Sequence, residues 1–309
     1  MTDATVMNEA AMNTIQERDA DGSIWAAYVE LTKIRIAAMV LLTVVVAGFL
    51  AAGNKTDLLL LFNVVVGVFF VSASGSALNQ YLERYTDFLM PRTAGRPLPD
   101  QRLSAGQVAS FGAITFGIGI GYLFAAVNWQ AGVCGLATWF IYVFVYTPMK
   151  MKTAWNTTIG AIAGAMPILM GALATTGTIP PLVWIFFTVL FLWQFPHFMA
   201  IAWLYREDYT EGGLKMLTVT DPSGKHAGWT AIGTAITIIP VSLLPVIWMQ
   251  SRNMIGVYVV LVGVCGLVYL LASFRFARHV NDTSARKLLR VSLLYLPVFM
   301  VLLALGTQF

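Results

Sequence analysis

Asn79, Glu83 and Asp87 stand four residues apart in turn, a spacing that stacks three oxygen-bearing side chains on one face of a helix. Oxygen donors in that arrangement suit a hard divalent ion. Magnesium takes one or two carboxylates, with the rest of its shell from water and substrate phosphate. Arg92 and Arg96 follow within nine residues of Asp87, and guanidinium groups fork onto phosphate oxygens. Metal ligands beside two arginines point to a diphosphate site. The plainer reading is a solvated helix end with internal ion pairs, which leaves an oxygen ligand at every turn unexplained.

Three further groups can do chemistry. Lys150 and Lys152 stand at the end of an apolar run, either as a second cationic grip on phosphate or as anchors at the membrane surface. Glu207 and Asp208 form a second acidic pair after Tyr205-Arg206; they complete a second metal position, orient an acceptor, or are simply solvated. His197 is the one histidine inside an apolar run, flanked by Trp193, Pro196 and Phe198. It is either a hydrogen-bonded core residue, or a ligand to iron or a base. Ten residues of helix rise about 15 Å, so His197 stands one porphyrin width from Glu207. Gly160 and Gly164 are spaced for close helix packing, which says little about chemistry.

These residues need a scaffold, and the composition names its kind. The chain has 309 residues, of which 58% are hydrophobic and 11% charged, with a mean hydropathy of +0.74. A soluble domain carries about 25% charged residues. An ordinary cytosolic enzyme, a disordered chain and a coiled coil are therefore excluded, and an all-α membrane protein is expected. Apolar runs predict nine transmembrane helices over 31–53, 59–82, 106–127, 129–147, 157–176, 181–204, 228–250, 254–274 and 290–308, each long enough to satisfy its own backbone across hydrocarbon. Residues 1–30, with Glu9, Glu17, Asp19 and Asp21, read as a polar cytoplasmic tail rather than a signal or transit peptide. Residues 31–309 read as one nine-helix domain with inner links over 83–105, 148–156, 205–227 and 275–289. With the N-terminus inside, 17 of the 19 Lys and Arg fall on inner segments, and only Lys55 and Arg252 fall outside. That bias sets the orientation and puts all the candidate chemistry at the cytoplasmic mouth of the bundle. Cys134 and Cys265 lie in apolar runs without metal-ligand spacing and read as core.

The run from Asn79 through Glu83 and Asp87 to Met90, Arg92-Thr93 and Arg96-Pro97-Leu98-Pro99 resembles the first acidic motif of the UbiA superfamily of intramembrane prenyltransferases. The arginine part is similar to the protohaem IX farnesyltransferase branch, although Glu83 stands where many members have Asp. Tyr146-Thr147, Lys150, Thr153, Asn156, Ile159-Gly160, Gly164-Ala165 and Pro167 resemble the same branch, as do Pro196-His197-Phe198, Arg206-Glu207-Asp208-Tyr209 and Met216-Leu217. Quinone-prenylating relatives carry a longer acidic motif in this last segment, and it is missing here. The resemblance implies a UbiA-like bundle in a bacterial inner membrane that transfers a farnesyl group from farnesyl diphosphate to a vinyl group of haem B, giving haem O and diphosphate. It implies Mg2+ on Asn79, Glu83, Asp87 and Asp208, with Arg92, Arg96 and Lys150 or Lys152 on the diphosphate and His197 as the candidate haem contact. Asn79, Glu83, Asp87, Glu207 and Asp208 then form the catalytic set. Downstream, a haem A synthase or terminal oxidase assembly receives the product; no nucleic-acid partner is implied. The rival readings are a relative that prenylates a quinone or chlorin precursor, and a haem or lipid carrier or transporter. A transporter places its site near the midplane between repeats, and here the charge gathers at one mouth.

Overall fold

A computed structural model describes residues 24–308, so most of the tail expected over 1–30 lies outside the described residues. From Ile24 the chain is already helical. Helix α1 (Ile24–Leu31) turns Ala27 and Leu31 onto Ala77, Leu103 and Val108, and its Glu30 pairs with Arg102 at 2.8 Å. The end of the expected tail therefore belongs to the fold, because two small apolar positions one turn apart give it a face to bury.

The remaining helices are α2 (Ile34–Ala52), α3 (Leu58–Leu82), a short α4 (Arg84–Leu89), α5 (Ala105–Ala126), α6 (Trp129–Phe140), α7 (Asn156–Thr176), α8 (Pro181–Leu204), a short α9 (Arg206–Glu211), α10 (Lys225–Leu243), α11 (Arg252–Arg278) and α12 (Asp282–Gln308). Among the described residues, nine helical stretches are long and apolar enough to cross a membrane, as the hydropathy pattern requires. Their starts are written locally. Asp57 accepts from Leu59 N and Leu60 N, Ser104 and Gln107 form a capping box, and Asn128 accepts from Ala131 N. Each satisfies amide groups that a helix start leaves without partners.

The link expected over 275–289 is much shorter than the charge pattern suggests. Helix α11 runs to Arg278 and α12 starts at Asp282. Arg and Lys are good helix formers, and Asn281 accepts from Ser284 N at 2.9 Å, so the cap sits within the expected loop. Charge marks where the membrane ends; it does not mark where helix ends.

Helix α7 is the centre of the bundle, with 67% of its most apolar stretch buried. It crosses α2 so closely that a Cβ on Gly171 would overlap the Val44 carbonyl oxygen. Small residues at such a crossing let two backbones approach within a membrane. The Gly160–Gly164 pair serves side chains instead. Gly160 makes room for the Tyr146 ring, and Gly164 makes room for the Gln194 amide. At one end of the bundle the links are tight. At the other, the polar segments 83–104, 150–155, 205–224 and 279–281 are tied together by Lys150–Glu83, Arg92–Asp208 and Arg206–Asp282 contacts.

Candidate active site

The expected helix face of Asn79, Glu83 and Asp87 is built across a break. Helix α3 ends at Leu82, Glu83 has φ −90° and ψ 4°, and α4 starts at Arg84. The i to i−4 bonding still runs through the break, from Glu83 N to Asn79 O at 2.9 Å and from Asp87 N to Glu83 O at 2.7 Å. The three side chains thus keep their one-turn spacing, and all three are buried.

Each meets a cation from a different part of the chain. Lys33 Nζ donates to Asn79 Oδ1 at 3.1 Å. Lys150 Nζ lies 2.7 Å from Glu83 Oε1, an ion pair by proximity rather than by an aligned hydrogen bond. Arg96 Nη1 donates to Asp87 Oδ2 at 2.5 Å. Lys33 occupies the junction between α1 and α2 with φ 49° and ψ 54°. A left-handed non-glycine residue costs on the order of 1 kcal/mol, so the surrounding packing must hold it there.

Electrostatics follow from crowding. Burial, with Arg96 and Lys150 adding repulsion, pushes the Lys33 amine down to about 7, against the pull of Glu83 and Asp87. Burial also pushes the Asp87 carboxyl above its ordinary range, against the Arg96 guanidinium. For Lys150, burial again works against the charge, but the Glu83 carboxylate prevails and holds the amine above its usual range. Three basic side chains thus face two buried carboxyl groups, and an added anion would favour the protonated form of Lys33.

Asp87 Oδ1 is buried without a hydrogen-bond partner. A free carboxylate oxygen beside an amide and a second carboxylate is an all-oxygen donor set of the kind magnesium accepts together with substrate phosphate. These residues therefore fit the ion. No group of three or more His, Cys, Asp or Glu close enough to hold a metal occurs among the described residues. The fit is thus to an ion that arrives with additional oxygen ligands.

The segment that delivers Lys150 is irregular. After Phe140 the fourth span winds as a π-helix over Ile141–Tyr146, with Thr147 N bonded back to Tyr142 O. Such wide turns are rare and frequent at functional sites. This one brings Thr147 Oγ1 within 3.1 Å of Asn79 Nδ2 and sets the Tyr146 ring 4.7 Å from Lys150 Nζ. Lys150 O accepts from Lys215 N at 2.6 Å, which pins the turn to the link after α9. Lys152 is exposed and has no ion pair among the described residues, so only one of the two lysines enters the cluster.

The second acidic pair is divided in the same way. Helix α8 stops at Leu204 and α9 starts at Arg206, so the straight helical rise from His197 to Glu207 is interrupted at Tyr205. Asp208 Oδ2 lies 3.7 Å from Arg92 Nε. Tyr205 and Tyr209 flank the Arg92 guanidinium at 4.4 Å and 5.5 Å. Glu207 is 83% exposed and is bonded to Arg206. The structure thus brings Asp208 to the rim of the cluster through Arg92 and leaves Glu207 in solvent.

His197 stacks on Trp193 at 4.8 Å, and its Nδ1 lies 2.8 Å from Ser292 Oγ. Ser292 Oγ already donates to Leu289 O at 2.6 Å. A hydroxyl has one proton, so Nδ1 is assigned as the donor and Nε2 keeps its lone pair. Pro196 breaks the ladder nearby, and Tyr269 OH donates to the Trp193 carbonyl at 2.8 Å. The local result is a neutral imidazole held in one tautomer, the form that ligates a metal.

Lys33, Tyr146 and Thr147 enter the cluster although sequence spacing did not single them out as its members. Lys33 looks in sequence like any inner-face anchor, and only its contact with Asn79, 46 residues away, separates it from Arg35, which is exposed. Pro148 directly after Thr147 is the one sequence signal that this helix end is irregular.

The model of the UbiA prenyltransferase family matches residues 40–303. A protoheme IX farnesyltransferase of Rhodopirellula baltica is 39% identical over 290 residues, which cover 90% of this chain and 98% of that protein. A solved digeranylgeranylglyceryl phosphate synthase has the same fold, with a TM-score of 0.75 at 18% identity over 93% of this chain and 99% of its own. A UbiA homologue from Archaeoglobus fulgidus bound to GPP and Mg2+ superposes with a TM-score of 0.67 at 16% identity, over 90% of this chain and 99% of its own.

Proposed function

Because the chain belongs to the UbiA prenyltransferase family, we propose that its buried cation cluster binds farnesyl diphosphate and that it transfers the farnesyl group to a vinyl group of haem B. The observation that carries the diphosphate half is the surplus of Lys33, Arg96 and Lys150 over Glu83 and Asp87, with Asp87 Oδ1 unpartnered. The haem half rests on identity with protoheme IX farnesyltransferases over nearly their whole length.

The reaction breaks the farnesyl C1–O bond and forms a bond between C1 and a vinyl carbon of the porphyrin. Water then adds its hydroxyl to the cation left beside the ring and releases a proton, giving haem O and diphosphate. Lys33, Arg96 and Lys150 stabilise the charge that grows on the departing diphosphate oxygens, where fixed cations away from bulk water act strongly. Arg92, steered by Asp208 and sandwiched by Tyr205 and Tyr209, closes the rim. Asn79, Glu83 and Asp87 would hold magnesium, which would add further neutralisation of that charge when bound with the substrate. His197 offers Nε2 to the haem iron and fixes the macrocycle. In this reading the site faces the cytoplasm of a bacterial inner membrane, a sidedness that the Lys and Arg bias supports, and the product passes to a haem A synthase or terminal oxidase.

The test is purified protein with haem B, farnesyl diphosphate and magnesium, read by the mass of the haem and by released diphosphate. The expected haem gains one farnesyl group and one hydroxyl group. Unchanged haem alongside prenylation of a quinone precursor overturns the acceptor, and the absence of diphosphate release overturns the transferase reading altogether.

A further inference from the structure

A groove of about 910 Å3 lies between α11 and α12, at the end of the bundle that carries the site, since Arg206 ties Asp282 at the start of α12 to α9 at 3.2 Å. It opens on the side of α12 away from His197. Ser292, which holds His197, is buried on the inner side of α12, whereas the groove cations are on the outside.

Its lining has two zones. One is apolar, with Leu271 and Phe274 57% and 51% exposed on the outer surface of the bundle. The other holds Arg275, Arg278, Lys287 and Arg290, all four exposed. None of these has an ion pair or a side-chain hydrogen bond among the described residues. Arg275 and Arg278 are three apart, as are Lys287 and Arg290, so each pair shares a helix face. The three-residue link 279–281 brings the two pairs side by side. Four like charges at this spacing repel one another, and a bound anion relieves that repulsion more fully than screening by salt does.

We propose that this groove is a specific binding site for one anionic phospholipid, with its headgroup phosphate among the four cations and its acyl chains along the Leu271 wall. Basic pockets between transmembrane helices at the cytoplasmic surface take anionic headgroups, and arginine forks onto phosphate. A soluble anion would satisfy the cations but leave the apolar zone without an occupant. A zwitterionic lipid would cover the apolar zone but bring no net charge to the cations.

The full-length protein in detergent, titrated with phosphatidylglycerol or phosphatidylcholine, tests this by native mass spectrometry of retained lipid. Phosphatidylglycerol is expected to bind one to one, with a preference of at least about tenfold over phosphatidylcholine. Arg275→Gln and Lys287→Gln should each reduce that preference, and the variant with all four cations changed to Gln should abolish it. Changing Arg275, Arg278 and Arg290 to Lys, which keeps the charge, should retain most of it, so a loss confined to poorly folded protein would be recognised. Arg286→Gln and Lys225→Gln, at the same end but outside the lining, should leave it intact. Equal losses from those two controls would reduce the effect to diffuse surface charge and overturn the proposal. So would an unchanged preference in the four-Gln variant. Haem B titrated by absorbance is the remaining arm: loss of haem binding in that variant, with lipid preference kept, would assign the groove to propionates instead.

Discussion

Asp87 and Glu207 are carboxylates on short helices that follow a break, and each has an arginine partner, yet their surroundings differ. Asp87 is fully buried and has one oxygen paired to Arg96 and one without a partner. Glu207 is largely exposed, where an ion pair contributes about 0–1 kcal/mol. We therefore expect Asp87→Asn to lower the rate of diphosphate release by at least about a hundredfold, in line with the loss of one preorganised electrostatic group, whereas Glu207→Gln changes it by less than about threefold. Circular dichroism checks that both variants fold. A similar loss in both would return the second acidic pair to the chemistry as a unit. Spacing alone was enough to stack Asn79, Glu83 and Asp87 and to put Arg96 beside Asp87, because a helix period and a short following loop bring residues together locally. It had no means of choosing Lys150 over Lys152 or Asp208 over Glu207, nor of finding Lys33. Those choices depend on which side chain reaches across to another helix.

At the scale of the helices, hydropathy was nearly sufficient to find the spans, and the caps at Asp57, Ser104 and Asn128 that fix three of their starts came from the structure. The π-helix of the fourth span and the helical ends of α11 and α12 were not legible, since an apolar run has no signature for a wide turn and charge is compatible with helix. Glycine spacing also misdirected attention. The close backbone crossing is at Gly171 against Val44, while Gly160 and Gly164 accommodate side chains. Gly171→Ala should lower stability in detergent by about 1–3 kcal/mol, the usual cost of overpacking a tight contact. Gly121→Ala, where nothing lies within 4 Å of the added carbon, should change it by less than about 0.5 kcal/mol. Thermal melting of the two variants measures the difference, and equal melting points would remove the tight crossing from the account.

For the whole molecule, the contacts Lys150–Glu83 and Arg92–Asp208 place the 83–104 and 205–224 links on one side, whichever side that is. The distribution of Lys and Arg supports our proposal that this side faces the cytoplasm. With Cys134 and Cys265 replaced by alanine, Asp100→Cys and Glu211→Cys should both react with an impermeant maleimide only in inside-out vesicles. Reaction of both from the opposite face would invert the topology, and reaction from different faces would contradict the shared site.

The pairing of Glu83 with Lys150 also has a consequence in time. Asn79 and its hydrogen-bond partner Thr147 are 68 residues apart, and Lys150 follows Thr147. At synthesis rates of about 5–20 residues per second, Glu83 is made about 3–13 s before its counter-ion. During that interval the Glu83 carboxylate at the membrane edge lacks its Lys150 partner, and Lys33 is the cation of the cluster made before Glu83. The contact that closes the cluster thus forms only once the fourth span has been made, so we expect the order of translation to be also an order of assembly at this end of the bundle.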